Sequence, residues 1–239
     1  MTRPPPSVPI PLWRLFSGRY GYLLAAFMLL ILISPWLTGG YSQGSLIDPL
    51  ICGVMLTGLY AASPRRRTLI AGTVLVAITI ASHWLDIFIA GRAPYALHYI
   101  LMLLALLFAC RTILGGVIRD TRVTLETIKG AICIYLLIGL IWVFLFALVN
   151  LLIPGSFLIQ SAPGSPGSSD LLVRHRFPEL LCFSYSTMTT LGYGDILPLS
   201  RPAQTLCYLE AIVGQMYLTV LIARLVGMHI TQPANDDRA

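Results

Sequence analysis

Long apolar runs separated by short polar or basic stretches dominate the pattern of this chain. An α-helix needs roughly 20 residues, at about 1.5 Å per residue, to cross about 30 Å of hydrocarbon. Six runs have about that length, and we predict spanning helices over residues 21–38, 46–62, 69–90, 95–114, 128–153 and 203–230. The pattern therefore predicts an all-α membrane protein with six transmembrane helices.

A seventh apolar segment, residues 177–189, is too short to span and predicts a re-entrant helix, with Pro178 suited to its first turn. Directly after it comes the stretch T-L-G-Y-G-D, residues 190–195. Glycine lacks a Cβ, so such a stretch can adopt a backbone that turns a row of carbonyl oxygens to one side. Carbonyl oxygens arranged in this way can replace the water shell of a dehydrated cation.

Composition supports a membrane protein and disfavours a nucleic-acid binder. Of the 239 residues, 56% are hydrophobic and only 11% are charged, whereas soluble domains carry about 25% charged residues. The net charge of +6 arises from basic residues at the ends of apolar segments, where membrane topology explains them. No basic stripe is interleaved with aromatic residues.

Charge also predicts the orientation. If both termini are cytoplasmic, twelve of the sixteen Lys and Arg residues lie on the cytoplasmic side, as the excess of positive charge in cytoplasmic loops requires. We therefore expect a multi-pass protein of the plasma (cell inner) membrane with the mouth of the glycine loop outside.

Cysteine and histidine spacing predicts neither a metal site nor a disulfide framework. The five cysteines lie inside apolar stretches, and no histidine has metal-ligand spacing with a cysteine. His83 and Asp86 are one turn apart, which leaves open a local pair, a pH-sensitive site or plain interfacial residues. No cofactor is expected.

Residues 128–230 resemble the pore domain of potassium channels, with an outer helix, a pore helix, a filter and an inner helix. The run S-T-M-T-T-L-G-Y-G-D-I-L-P, residues 186–198, is similar to the family pattern nearly residue for residue. With six predicted helices, the chain resembles the prokaryotic-like members that have one pore loop per subunit and first four helices that do not sense voltage. The resemblance implies a homotetramer, since one filter strand cannot enclose an ion.

The same resemblance implies roles for the glycine loop. The backbone carbonyls of Thr190, Leu191, Gly192 and Tyr193 are expected to coordinate K⁺ as the permeant ion. Gly194 would turn the chain outward, and Asp195 would sit behind the outer mouth. Leu191 replaces the commoner Val or Ile of the family, which leaves the strictness of selection open.

Other residues are expected to support the filter or to form the gate. Hydroxyls of the pore helix and its end can hold the loop from behind or serve ordinary helix packing; they belong to Tyr185, Ser186, Thr187 and Thr189. Glu210 either accepts hydrogen bonds from pore-helix hydroxyls or faces the cavity and concentrates cations. Gly214 is read as a gate hinge or a close helix crossing, and Ile222, Ala223 and Val226 would line the inner pore.

The expected domains follow from these elements. Residues 1–20 form a cytoplasmic tail, and 21–118 a four-helix domain that resembles a degenerate voltage sensor. Residues 119–129 form an interfacial linker, in which Thr124 and Glu126 help start the next helix. The pore domain covers 130–230, and 231–239 is a short cytoplasmic tail.

The predicted function is a potassium-selective channel that is weakly or not voltage-gated. Within 95–114 only Arg111 is charged, which gives a membrane potential little leverage. Alternatives are a poorly selective monovalent cation channel and a modulatory subunit of another channel. An enzyme is not expected, because no facing nucleophile and base are found. The expected partners are three further copies, membrane lipid and an unidentified gating partner, with no nucleic acid.

Overall fold

The helices begin and end close to the predicted apolar runs. The computed structural model describes residues 18–38, 47–62, 66–88, 91–119, 124–159 and 177–231. The helices are α1 (Arg19–Ile33), α2 (Ile47–Ala62), α3 (Arg66–Phe88), α4 (Arg92–Arg119), α5 (Leu125–Leu152), α6 (Phe177–Met188) and α7 (Arg201–Thr231), and a 3₁₀ helix, Ser34–Thr38, follows α1. The predicted terminal tails lie mostly outside the described residues.

Five of the described helices are long and apolar enough to cross a membrane, namely α1 with its 3₁₀ extension, α3, α4, α5 and α7. Helix α2 is apolar but has only 16 residues. At 1.5 Å per residue it covers about 24 Å, which is shorter than the hydrocarbon layer of about 30 Å. The prediction of six crossings therefore depends on α2, whose flanking residues 39–46 and 63–65 lie outside the described part.

Two short strands were not predicted, so the all-α expectation is incomplete. β1 (Phe157–Ile159) pairs antiparallel with β2 (Ile196–Pro198). Next to them, the buried Ser156 accepts the backbone amides of Leu199 and Ser200 through its carbonyl oxygen. The chain after the glycine loop is thereby fixed to the end of α5. Three residues are too few for the alternation of polar and apolar positions that reveals a strand.

The start of α5 is capped as predicted and is also bound to α1. Thr124 is the N-cap, and its hydroxyl oxygen accepts the amide of Thr127 at 3.2 Å. Glu126 accepts the amide of Tyr20 in α1 at 3.0 Å and the ammonium group of Lys129 at 2.8 Å. Within the predicted linker 119–129, Arg119 is the last residue of α4, Thr124 is the N-cap of α5 and residues 125–129 form its first turn. Residues 120–123 lie outside the described part of the structure.

Helix α5 lies at the centre of the packing, whereas α7 lies at its edge. α5 packs against α1, α4, α6 and α7 and is the most buried of the five long apolar helices, while α7 is the least buried. Helix α7 exposes a series of large apolar side chains: Tyr208, Leu209, Ile212, Val213, Met216, Val220, Ile222 and Val226. A single chain therefore leaves this face uncovered.

The crossing of α5 and α6 depends on the absence of a side chain at Gly139. A Cβ at this position would collide with the ring of Tyr185, lying 2.9 Å from its Cδ1. The ring cannot easily move, because the Tyr185 hydroxyl donates to the carbonyl of Leu136 at 2.9 Å. Gly139 therefore sets the distance between the two helices.

We expect Gly139→Ala to destabilise the purified chain by about 1–3 kcal/mol, the usual cost of overpacking. Gly115→Ala in α4 is the matched control, because a Cβ there has no neighbour within 4 Å. That substitution should stabilise the helix by about 0.5–1 kcal/mol through lost backbone entropy. Thermal unfolding in detergent compares the two variants. Equal melting temperatures would contradict the close crossing.

Candidate ion pathway

Successive amide groups after α6 all point back towards that helix. The amides of residues 190–192 donate to the carbonyls of Ser186 and Thr187, at distances between 2.8 and 3.2 Å. The described peptide bonds are trans, and in a planar trans peptide the carbonyl points opposite to the amide of the next residue. The carbonyls of residues 189–191 therefore all point away from α6, whereas those of an extended strand point alternately to opposite sides.

The sign of φ alternates along the same loop. Thr190, Gly192 and Gly194 have φ values of 60°, 56° and 79°, while Leu191 and Tyr193 do not have positive φ. Glycine adopts such values without steric cost, but a β-branched residue does not. Thr190 therefore carries backbone strain of about 1–3 kcal/mol, and such strain concentrates at functional sites.

The hydroxyls predicted to hold the loop have other partners within one chain. Those of Ser186 and Thr187 both donate to the carbonyl of Phe183, and that of Thr189 donates to the carbonyl of Tyr185. The Tyr185 hydroxyl reaches α5, as described above. Within the chain, main-chain amides hold the loop, and the role of these four side chains in supporting a filter stays a prediction.

Glu210 is fully buried and contacts α6, the predicted pore helix. The Ser184 hydroxyl lies 2.5 Å from its Oε1 and 2.9 Å from the carbonyl oxygen of Gly139. This serine therefore joins α7, α6 and α5 at one point. Sequence reasoning singled out Glu210 as an ionisable residue in a spanning helix but missed Ser184, because serine is common in such helices as a packing residue.

Helix α7 crosses the end of α6 closely at Gly214. A Cβ at Gly214 would lie 3.1 Å from the carbonyl oxygen of Met188, and the Gln215 side-chain amide donates to that same oxygen at 3.0 Å. This geometry matches the close-crossing interpretation of Gly214. Sequence analysis did not single out Gln215, although a polar side chain within an apolar run indicates a functional position.

The far end of α7 is attached to α4. Arg224 donates from one guanidinium nitrogen to the carbonyls of Val117 and Ile118, at 3.0 and 2.9 Å. These carbonyls belong to the last turn of α4, where a cation is favourable. The predicted gate residues Ile222, Ala223 and Val226 flank this attachment and are exposed.

The loop itself is open on its outer side. Leu191 and Tyr193 are 59% and 68% exposed, and Asp195 accepts only the neighbouring amide of Ile196, at 3.1 Å, among the hydrogen bonds described. These side chains and the exposed apolar face of α7 together form a surface that no other described part of the chain covers.

Comparison with known proteins identifies the region that contains this loop. The sequence model of a family described as Ion channel matches residues 146–230, from the end of α5 to the end of α7. The inward rectifier potassium channel Kirbac3.1 of Paramagnetospirillum magnetotacticum is 34% identical over 120 residues, which are 49% of this chain and 36% of that protein. The chain thus spans about a third of the length of this relative. No solved structure matches the chain significantly.

Residues 146–230 are thus similar in sequence to a family of ion channels, which agrees with the expected class, a channel and not an enzyme. The five long apolar helices and the matched family together describe a multi-pass membrane protein with an ion-channel pore region.

Proposed function

We propose that four copies of this chain form a potassium-selective channel, in which K⁺ passes along an axis lined by the carbonyls of Thr190, Leu191, Gly192 and Tyr193. The observation that carries this proposal is the orientation of the amides of residues 190–192 towards α6, which turns the carbonyls of Thr190 and Leu191 to the opposite side. There they can replace the hydration shell of the ion, and the resemblance to potassium channels adds the carbonyls of Gly192 and Tyr193. One chain supplies one row of oxygens, so a closed ring is required.

The membrane environment supports assembly around the loop. Lipid can cover the apolar face of α7, but it cannot satisfy the polar backbone of an irregular segment. Non-helical backbone at membrane depth is tolerated only where protein buries it or where it lines a water-filled cavity. A ring of four chains provides both conditions, since it buries Leu191 and Tyr193 between neighbours and lines a central pore with the carbonyls.

The proposed topology has six crossings, with α2 as the short one and both termini cytoplasmic. The distribution of Lys and Arg supports this orientation, which suits the plasma membrane of a cell. The order of α1–α4 and of α5–α7 supports a four-helix domain over residues 21–118 and a pore domain over 130–230.

Voltage is expected to have little influence on opening. Helix α4 contains Arg92 and Arg119 at its two ends and Arg111 between them. Moving one charge through the membrane potential contributes about 2.3 kcal/mol per 100 mV, and charges at the helix ends move through little of it. The attachment of Arg224 to the last turn of α4 is a mechanical link through which the first four helices can act on the inner helix without sensing voltage.

Purified chain in liposomes tests the proposal. We expect potassium efflux down a gradient from liposomes containing this chain alone, and a conductance that changes little with voltage. The assay should be repeated across pH and lipid composition, and liposomes without protein are the control. Absence of flux under all conditions would favour a modulatory subunit, and a steep conductance–voltage relation would contradict the weak voltage dependence.

A further inference from the structure

Three side chains from three helices meet at one end of the first four helices. Asp48 lies in the first turn of α2, His83 near the end of α3 and His98 near the start of α4. Because consecutive helices run in opposite directions, these positions share one end of the bundle. One ligand atom from each residue lies within 4.8 Å of the other two. The sequence left open a pair of His83 with Asp86, but the Asp86 side chain lies outside the described part of the structure.

The cluster is buried and contains a carboxylate. The side chains of His83 and His98 are 7% and 3% exposed, and that of Asp48 is 15% exposed. A carboxylate in such a place needs a compensating positive charge or good hydrogen bonds. His83 Nδ1 lies 2.6 Å from Asp48 Oδ2, which accounts for one contact of the carboxylate.

The contact between His98 and Asp48 depends on which ring nitrogen of His98 carries the proton, and Ser82 contacts one of them. The Ser82 hydroxyl donates its one hydrogen to the carbonyl of Thr79, at 2.7 Å. In the tautomer that carries a hydrogen on Nδ1, His98 donates it to this oxygen, 3.0 Å away. Nε2 then carries a lone pair and lies 3.5 Å from Asp48 Oδ2, so these two atoms can serve together as ligands of one cation.

We propose that Asp48, His83 and His98 bind a divalent transition-metal ion of the zinc class. Two imidazoles and a carboxylate are ligands that Zn²⁺ prefers, with bonds of about 2.0–2.1 Å. Tetrahedral bonds of this length place ligand atoms about 3.3 Å apart. The separation of 3.5 Å between His98 and Asp48 suits this arrangement. His83 must lose its proton and move away from Asp48 by about 0.7 Å, a small side-chain rotation.

Ser82 takes the place that outer hydrogen-bond partners hold in metal sites. A metal-binding histidine almost always donates its second ring nitrogen to an oxygen, which fixes the tautomer and the ring orientation. The hydrogen bond between His98 Nδ1 and Ser82 does this here. The metal would join α2, α3 and α4 at one point.

The test is Zn²⁺ binding by the full chain, purified without a histidine tag and stripped of metal with a chelator. Calorimetric titration should find one site per chain, weakened at least about tenfold by Asp48→Asn, His83→Ala or His98→Ala and by about 10–100-fold in Ser82→Ala. The double variant His175→Ala/His229→Ala is the control, because it leaves His83 and His98 as the only histidines and should bind like the natural chain.

Zinc binding that persists in a chain lacking Asp48, His83 and His98 would overturn the proposal. The absence of binding in the natural chain would also overturn it. If the cluster variants do not fold, X-ray absorption at the zinc edge of the natural chain decides. Two imidazole nitrogens with oxygen ligands support the site, and any other ligand set contradicts it.

Discussion

Gly192→Ala is expected to reduce potassium flux strongly while leaving the chain folded. Gly192 has a φ of 56°, a conformation that costs an L-residue about 1–2 kcal/mol. The chain can relieve this strain by turning the neighbouring peptide, which moves a carbonyl out of the row that faces away from α6. When one oxygen is displaced in each of four chains, the remaining carbonyl oxygens no longer replace the hydration shell of the ion fully. We expect at least about a tenfold loss of flux, which corresponds to about 1.4 kcal/mol.

Gly155→Ala is the matched control for Gly192→Ala. Gly155 has a φ of 78°, and a Cβ has no neighbour within 4 Å at either glycine. The two substitutions therefore impose similar backbone strain, but Gly155 lies in the turn after α5 and is not part of the loop of residues 190–195. Flux should remain close to that of the natural chain in Gly155→Ala. Equal loss in both variants would mean that general destabilisation, and not the oxygen row, explains the effect.

Glu210→Ala is expected to disrupt the pore helix, whereas Glu210→Gln is expected to preserve it. Glu210 is fully buried and its only described hydrogen-bond partner is the Ser184 hydroxyl. Alanine removes this acceptor and leaves a cavity between α7 and α6, so we expect a loss of about 1.5–3 kcal/mol of stability together with reduced flux. Glutamine keeps an oxygen in place for Ser184, so its flux should remain near that of the natural chain.

A double-mutant cycle with Ser184→Ala separates the contact from other effects of Glu210. The coupling energy should lie at about 0.6–1.7 kcal/mol, the range found for polar contacts between membrane helices. If Glu210 instead faces the cavity and concentrates cations, Glu210→Gln should lower the single-channel conductance without changing stability, and the coupling to Ser184 should be close to zero. That pattern would reject the bracing role.

Apolar runs predicted the helices well, since burial in lipid requires long apolar segments whatever their neighbours are. The end of α4 was placed five residues too early because the predicted apolar run stops at Leu114. Helix α4 continues through Gly115 and Gly116 to Arg119, although glycine is unfavourable inside a helix. The strands β1 and β2 were missed because their pairing depends on main-chain contacts between segments that lie far apart along the chain.

The glycines of the loop could be read from the sequence, but the contacts that hold it could not. Thr190 adopts a positive φ although its side chain disfavours it, so only the fold around it sets this conformation. Ser184, Gln215 and Arg224 each bind another helix, and spacing along one helix does not say which neighbour its polar side chains will meet. The same holds for Asp48, which His83 contacts from another helix.

The reversal potential under bi-ionic conditions tests the central claim most directly. Purified chain is placed in a planar bilayer with K⁺ on one side and Na⁺ at equal concentration on the other. A pore lined by the carbonyls of residues 190–193 should give a reversal potential displaced in the direction of K⁺ selectivity by more than about 59 mV, the value for a tenfold preference. A reversal potential near zero would contradict the claim.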